Sequence, residues 1–379
     1  METPNREEYS TEKVIYMAME LSQSTWKLGF SVGQGQEPRI RNIGAAQPAA
    51  LEKEIALAKK KYRLEADTAV RSCYEAGLDG FWIHRYLVDM GIENVVVDPA
   101  SVEVNRRAKQ RKTDRLDAQK LVRHLMRYHA GDSEVWKVVR IPSAEAEESR
   151  QLHRQLWNLK NDWKRYRNRI YGILKTQGVA LKVNSNFLEE MQAVRVWNGQ
   201  ALPPQVQQRV SINYTLLQAV SSQVKELERE RQQLIKTGET RALKMVRQLR
   251  QLRGVGDNGA WLLVMEFFGW REFKNRREVG GLAGLAPTPY ASGNIYHDQG
   301  ISKAGNRCVR TMMVQLAWAW LRHQPDSTLS KWWNDRYEHA SKPERKKGIV
   351  ALARKLLVAF WHYLDKGEVP AGAKLKTVP

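Results

Sequence analysis

Apolar residues recur at alternating intervals of four and three in the middle of the chain, and this pattern constrains the fold most. Such spacing places these residues on one stripe of a long helix, and an apolar stripe of this kind is buried by packing against another helix. The two runs are separated by an aperiodic segment, 178–213, which contains Pro203 and Pro204. The first run consists of Leu152, Leu156, Leu159, Trp163, Tyr166, Ile170 and Ile173. The second consists of Leu217, Val220, Val224 and Leu227, after which the same spacing reaches the cation Arg231 and then Leu234.

These runs predict a coiled-coil arm over residues 143–248, made of two long helices joined by an irregular insert. Two arrangements satisfy the pattern equally well. One is an antiparallel hairpin inside a single chain, and the other is an arm that pairs with a second chain. Because a heptad pattern does not report which chain supplies the partner helix, both alternatives stay open.

The segment before the arm, 1–142, has the character of an α/β domain. Three strand-like runs are followed by alternating helices and strands, which predicts a mixed sheet with helices packed on it. We expect Leu116, Leu121 and Leu125 to form the buried face of the last helix. The expected strands are 14–20, 28–32, 39–43, 67–73 and 94–97, and the expected helices are 49–62, 80–90 and 114–128.

The segment after the arm, 249–379, is predicted to be mostly helical, with helices at 307–323 and 346–364. A glycine-rich polar stretch over 280–306 interrupts the helices. The tail after Gly367 is rich in proline, glycine and lysine, so we expect it to be loose.

The charge balance identifies the class of partner. Lys and Arg number 62 against 41 Asp and Glu, which gives a net charge of +21. A field of this sign favours a polyanionic partner, above all nucleic acid. Cys73 and Cys308 cannot form a disulfide framework, and the scattered histidines do not form a zinc pattern. Without an apolar leader or a span of membrane length, we expect a cytoplasmic protein with no membrane partner.

Four carboxylates are candidate metal ligands. Glu20 ends the first predicted strand, Glu75 follows the fourth, and the spacing of Asp114 and Asp117 puts both on one face of a helix. In a sheet of the ribonuclease-H type, all four converge at one edge, where Mg²⁺ would relieve their repulsion and serve phosphoryl transfer. Taken singly, each has a plainer interpretation. Asp114 suits a helix cap, Asp117 an ion pair, and Glu75 a solvated turn.

Basic residues surround the aspartate pair and recur along the first helix of the arm. Such runs are often solvated helix faces, but they also suit the neutralisation of phosphates. Trp163 and Tyr166 belong to the apolar stripe and are expected in the core. Trp157 lies off that stripe, and its role stays open. The candidate nucleic-acid contacts before the aspartates are Arg106, Arg107, Lys109, Arg111 and Lys112.

Two glycine-containing segments complete the candidate sites. Gly254 and Gly256 lie between two helical stretches, as in a helix-hairpin-helix element whose amides hold a DNA phosphate, although a tight turn alone would explain them. In the stretch 280–306, Ser292 occupies a polar turn and Ser302 is expected to cap the following helix. The cations that follow, Lys303 and Arg307, are further candidate phosphate contacts.

Several of these motifs together resemble one family, the bacterial insertion-sequence transposases of the one-ten and eleven-eleven type. The resemblance covers about residues 10–335 and is specific only as a combination. It rests on YEAG at 74–77, VDPAS at 97–101, KTDRLDA at 112–118, GLAP at 284–287, the serine and glycine at 292–293, and ISKAGN at 301–306.

The resemblance implies a fold, a chemistry and a set of partners. The first domain would be ribonuclease-H-like, of the Holliday-junction resolvase (RuvC-like) type, with Glu20, Glu75, Asp114 and Asp117 binding Mg²⁺. The last domain would supply Ser292 as the nucleophile that forms a covalent phosphoserine with DNA. Dimers would assemble into a tetramer with composite active sites, and a structured bridge RNA would pair with the target and donor DNA.

One residue departs from the family pattern, which usually has aspartate at the first acidic position, where this chain has Glu20. The side chain is one methylene longer but keeps the carboxylate. Two other functions fit the residues less closely. A structure-selective nuclease would use metal-activated water and would not need Ser292, and a non-catalytic binding protein would not cleave at all.

Overall fold

A computed structural model describes residues 13–33, 35–102, 114–292 and 295–376, without the side chains of Asp114 and of 291–298. The described chain forms two compact units, which meet in sequence between Ile141 and Pro142. No described helix is both long enough and apolar enough to cross a lipid bilayer.

The first unit is built on a five-stranded mixed sheet, which confirms the predicted fold class of this segment. The strand order is β3-β2-β1-β4-β5. β1 pairs antiparallel with β2, and β2 pairs antiparallel with β3, whereas β1–β4 and β4–β5 are parallel pairs. The strands are β1 Val14–Glu20, β2 Thr25–Ser31, β3 Arg39–Gly44, β4 Ala69–Glu75 and β5 Glu93–Val97.

Both faces of this sheet are buried. Side chains alternate along a strand, so Met17 and Met19 of β1 join a core with α1 and α2, while Ala18 faces α3. Leu121 and Leu125 of α3 are buried as predicted, but Leu116 is 43% exposed, which corrects that expectation. The buried stripe of α3 runs through 118, 121, 122 and 125, on the opposite side of the helix from Leu116. These helices are α1 Pro48–Lys61, α2 Trp82–Asp89 and α3 Asp114–His129.

The second unit is mostly helical and contains one two-stranded hairpin. Its strands are β6 Pro287–Ser292 and β7 Ile295–Ile301. Its helices are α4 Ala144–Glu148, α5 Gln151–Lys175, α6 Phe187–Ala193, α7 Pro204–Thr237, α8 Arg241–Arg250, α9 Asp257–Leu263, α10 Arg276–Leu282, α11 Arg307–His323, α12 Thr328–Tyr337 and α13 Lys342–Lys366.

The two long helices α5 and α7 pack side by side in one chain. Lys160 contacts Glu228 at 2.5 Å, and Arg169 contacts Asn213 at 3.3 Å, so the helices run antiparallel. The insert between them adds buried side chains to the far end of this pair, including Phe187, whose ring lies 4.8 Å from that of Tyr214. The helices α5 and α7 thus form an antiparallel hairpin within one chain. Pairing of this hairpin with a second chain stays a prediction.

The last helices enclose the largest core of the unit, around side chains such as Trp261, Phe267, Trp320 and Phe360. The tail was expected to be loose, and this expectation is wrong for residues 370–376. The amide of Arg253 donates to the carbonyl of Lys374 at 3.2 Å, and the amide of Lys376 donates to that of Gln251 at 2.7 Å. The tail is therefore held against the turn between α8 and α9.

Candidate functional site

Glu20 and Glu75 end two neighbouring parallel strands at the same edge of the sheet. The β1–β4 register pairs Met19 with Tyr74, and each glutamate follows its paired residue by one position. Because side chains alternate, Glu20 shares its face with Ala18, and Glu75 shares its face with Cys73. Burial, and then the charge of Glu75, raise the pKa of the Cys73 thiol. Both glutamates therefore lie on the face that α3 covers.

Helix α3 runs opposite to β1, so its first turn lies toward that same edge. The Sγ atom of Cys73, near the end of β4, lies 3.9 Å from the carbonyl oxygen of Leu121. Farther along α3, the ring of His129 lies 6.0 Å from that of Tyr16, near the start of β1. The helix consequently begins at the carboxyl ends of β1 and β4. Its first turn carries Asp114 and the half-buried Asp117.

The chemistry of these donors suits a hard cation such as Mg²⁺, which prefers carboxylate oxygens. The backbone brings all four positions to one end of one sheet face. Within the described residues, however, no three acidic, histidine or cysteine side chains stand close enough to bind one metal ion. The side chain of Asp114 is outside that description, so the metal assignment stays a proposal.

Several predicted nucleic-acid contacts are not in the described part of the chain. Arg106, Arg107, Lys109, Arg111 and Lys112 all fall in the segment 103–113. In sequence, this segment directly precedes Asp114 and so leads into the first turn of α3.

The predicted helix-hairpin-helix element has the expected local form, with α8, a turn and α9. Gly254 has φ +85°, and a Cβ there would lie 3.2 Å from the Cβ of His323 on α11. Glycine is thus required at this position by both the turn and the packing. Gly256 precedes α9, is exposed and has open space around it. Of the two, Gly256 is the one whose surroundings leave room for a phosphate.

Ser292 is the last residue of β6 and pairs with Ile295 across the tip of the hairpin. The segment predicted as a polar turn therefore contains two paired strands, which the sequence pattern did not indicate. The tip residues 293–294 and the side chain of Ser292 are outside the described atoms.

Exposed Lys303 and Arg307 follow β7, one on the loop and one at the start of α11. Ser302 was expected to cap α11, and this is wrong. The cap is Asn306, whose Oδ1 accepts hydrogen bonds from the amides of Cys308 at 2.9 Å and Val309 at 3.2 Å. Asparagine is as good a cap as serine, and it stands directly before the helix.

Glu266 is a buried acid that sequence reasoning did not select. It lies in a π-helical turn, 264–268, and is 2% exposed. It accepts hydrogen bonds from His153 at 2.8 Å, Arg154 at 2.7 and 3.1 Å, and Asn306 at 3.2 Å. Burial alone would raise the pKa of Glu266, but the hydrogen bonds and charges of His153 and Arg154 lower it to about 2. The signal in the sequence was a lone acid in the most apolar run.

Glu266 joins parts of the second unit that are distant in sequence. His153 and Arg154 lie at the start of α5, whereas Asn306 caps α11 immediately after the loop that follows the hairpin. The carboxylate therefore ties the base of the long helices to the segment that carries Lys303 and Arg307.

Comparison with known proteins assigns the chain to a family. Residues 246–332 match the transposase model of the IS116/IS110/IS902 family. A transposase of Sinorhizobium fredii is 38% identical over 96% of this chain and 95% of its own length. The transposase of insertion sequence IS1111A of Coxiella burnetii is 25% identical over 75% of each chain. That of IS1533 of Leptospira borgpetersenii is 23% identical over 71% of this chain and 74% of its own length.

All of these relatives are named as transposases, and the first covers almost the whole chain. The chain belongs to the IS116/IS110/IS902 family of transposases. This confirms the resemblance drawn from the motifs.

Proposed function

We propose that this transposase is a Mg²⁺-dependent, RNA-guided recombinase that moves an insertion sequence through a covalent phosphoserine at Ser292. The observation that carries the proposal is the convergence of Glu20, Glu75 and the first turn of α3 at one sheet edge. Mixed strand directions, helices on both faces and acids at the ends of central strands support a ribonuclease-H-like, RuvC-type fold for the first unit.

The chemistry assigned to the chain is a reversible transfer of a phosphodiester. The Ser292 hydroxyl loses its proton and its Oγ attacks phosphorus, the bond from phosphorus to the leaving sugar oxygen breaks, and that oxygen takes up a proton. The phosphoserine bond then accepts attack by a second DNA hydroxyl, which regenerates the serine. Mg²⁺ bound by the acidic edge would stabilise the charge that develops on the phosphoryl oxygens.

The partners follow from the family and the charge. The net charge of +21 suits binding of both the element DNA and a structured bridge RNA. We propose that a dimer assembles into a tetramer, in which the acidic edge of one subunit meets Ser292 of another. The antiparallel pair α5–α7 is the candidate coiled-coil arm for this assembly.

The test uses the full chain, its co-expressed element RNA and DNA end substrates with a nick beside the scissile phosphate. The wild type is expected to form a covalent protein–DNA adduct, which denaturing gels resolve and mass spectrometry maps to Ser292. Ser292→Ala should abolish the adduct and keep nucleic-acid binding. Ser302→Ala is the matched control, because Ser302 lies on the same segment and does not cap α11.

The outcome also separates the other functions. Cleavage without an adduct, undiminished in Ser292→Ala, would establish the structure-selective nuclease instead. A non-catalytic binding protein would give two results together. Nucleic-acid binding would persist in a chelator, and neither the wild type nor any variant would cleave DNA in Mg²⁺. Sequencing of the RNA that copurifies tests guidance, since a discrete RNA with loops matching both DNA partners is expected.

A further inference from the structure

A cleft lies where α5 and α7 meet α9 and α11. Its volume is about 250 Å³. One wall is a face of α5 that includes Leu156 of the apolar stripe and the residues beside it at intervals of three and four. From α5 the lining residues are His153, Leu156, Trp157, Lys160, Asn161 and Lys164, and from the other helices they are Arg231, Asn258, Leu262, Met312 and Gln315.

Arg231 lines this cleft and is a buried cation, and one of its donors has no partner among the described residues. It is 5% exposed, and its Nη1 donates to Oδ1 of Asn258. Its Nε has no hydrogen-bond partner among the described residues, and the nearest carboxylate, Glu228, is 4.0 Å from Nη2. A buried donor without an acceptor is costly, and a guanidinium suits the geometry of a phosphate.

The remaining charges leave the cleft positive. Glu228 already holds Lys160 at 2.5 Å, and Asp257 is held by Arg250 and Gln232. Lys164 is exposed and has no acidic partner within the described parts of the chain. Arg231 and Lys164, which both line the cleft, therefore offer positive charge to a ligand bound there.

Trp157 gives the cleft a flat apolar surface at its rim. The side chain is 41% exposed, although it is large and apolar and lies beside two lysines. Aromatic side chains that stand in a basic groove are platforms on which unpaired bases stack. The same surroundings suit a duplex less well, because its bases are already stacked on each other.

We propose that this cleft binds one phosphodiester of a single-stranded nucleic acid, with the adjoining base stacked on Trp157. Arg231 and Lys164 contact the phosphate. The volume of the cleft suits one phosphate with part of its nucleoside. Asn258 lies in the first turn of α9, directly after the turn of Gly256, so the strand would continue toward that turn. The inference rests on the proposed function, since it names where a strand of the guide RNA or of opened DNA is held.

The experiment measures the binding of fluorescent 12-nucleotide RNA, single-stranded DNA and duplex DNA to the full chain by anisotropy. Trp157→Leu is expected to weaken single-strand binding about 5- to 100-fold and to leave duplex binding within about twofold. Lys164→Glu should weaken it and lower the slope of log affinity against log salt by about one or more. A loss confined to the RNA or to the DNA probe identifies which strand the cleft holds.

Two matched controls are available on the same unit. Trp197→Leu removes a tryptophan that is 84% exposed on the insert, and Lys175→Glu reverses an exposed lysine in the last turn of α5. A strand carrying 5-iodouracil should photocrosslink to Trp157, which gives a readout of contact independent of affinity.

The proposal is overturned if the cleft variants bind single strands like the wild type, or no more weakly than the controls. A crosslink mapped elsewhere, with Trp157 unmodified, also overturns it. The result is separable from that of the proposed function. Ser292→Ala tests strand transfer and should leave single-strand binding intact, whereas Trp157→Leu should lose it.

Discussion

Arg154 and Glu266 form a two-point ion pair across 112 positions of sequence. The Nε of Arg154 donates to Oε1 of Glu266 at 2.7 Å, and its Nη2 donates to Oε2 at 3.1 Å. The carboxylate is buried while the guanidinium is half exposed. His153 and Asn306 occupy further acceptor sites of the same carboxylate. The base of α5 and the cap of α11 thus depend on one acid.

We expect Glu266→Gln to destabilise the protein by about 2–4 kcal/mol. The buried ion pair loses its negative partner, and His153, Arg154 and Asn306 are left with a neutral amide, which is a weaker acceptor. Thermal or urea unfolding measures the difference. Glu239→Gln is the control, since Glu239 is a surface acid near Lys244 and Arg247. A surface pair contributes about 0–1 kcal/mol, so equal losses in both variants would contradict the role of burial.

The same residue predicts an acid-sensitive component of stability. The pKa of Glu266 falls from an ordinary 4.5 to about 2 in the folded chain, so the carboxylate stabilises the folded state above about pH 4.5. That contribution, about 3 kcal/mol, is lost as the pH falls from about 4.5 toward 2. Free energies of unfolding measured from pH 6 to 3 should converge for the wild type and Glu266→Gln. A constant difference over that range would argue against ionisation as the cause.

Much of the first unit was predictable because its signals are local. The run 14–20 alternates between two buried faces, and turn-forming residues bound it, so β1 was predicted with its observed ends. Helix α11 was likewise predicted as 307–323, because polar and glycine residues precede its long apolar pattern. The placement of Glu20 and Glu75 at one edge was expected only for a sheet of the ribonuclease-H type, because it requires β1 and β4 to be parallel neighbours, as they are in the structure.

The features that the sequence did not predict depend on contacts between residues that are distant along the chain. The β6–β7 hairpin has prolines and glycines in place of alternating apolar residues, so its pairing gave no periodic signal. The partners of Glu266 lie 40 to 113 positions away. Trp157 lies outside the apolar stripe in the sequence pattern, but Arg231, which lines the same cleft, comes from another helix. Only packing reveals such pairs.

Gly305 holds the loop after the hairpin close to α10, and Gly305→Ala is expected to destabilise the second unit. Its φ is +128°, and an added Cβ would overlap the carbonyl of Leu282 and lie 2.9 Å from the amide nitrogen of Gly284. We expect a loss of about 1–3 kcal/mol and reduced strand transfer, because the loop leads from β7 to α11. Calorimetry and the adduct assay measure these effects.

Gly281→Ala is the matched control for that substitution. Gly281 lies in α10, has no atom within 4 Å of an added Cβ and does not need a positive φ. Alanine there should be neutral or stabilise by about 0.5–1 kcal/mol. Similar losses in both variants would show that the close approach of Gly305 is not the cause.

Two substitutions of Glu20 test the acidic edge, because one changes the length of the side chain and the other changes its charge. Glu20→Asp shortens the side chain to that of the aspartate expected from the resemblance and keeps the carboxylate, so we expect Mg²⁺-dependent cleavage to persist. Glu20→Gln keeps the length but removes the charge, and cleavage should fall by at least about 100-fold. Rates over a Mg²⁺ titration measure both effects, and Glu65→Gln, an exposed acid on the same unit, is the control. Equal activity of Glu20→Gln and Glu65→Gln, with both folded, would remove Glu20 from the site and leave Glu75, Asp114 and Asp117 as its acids.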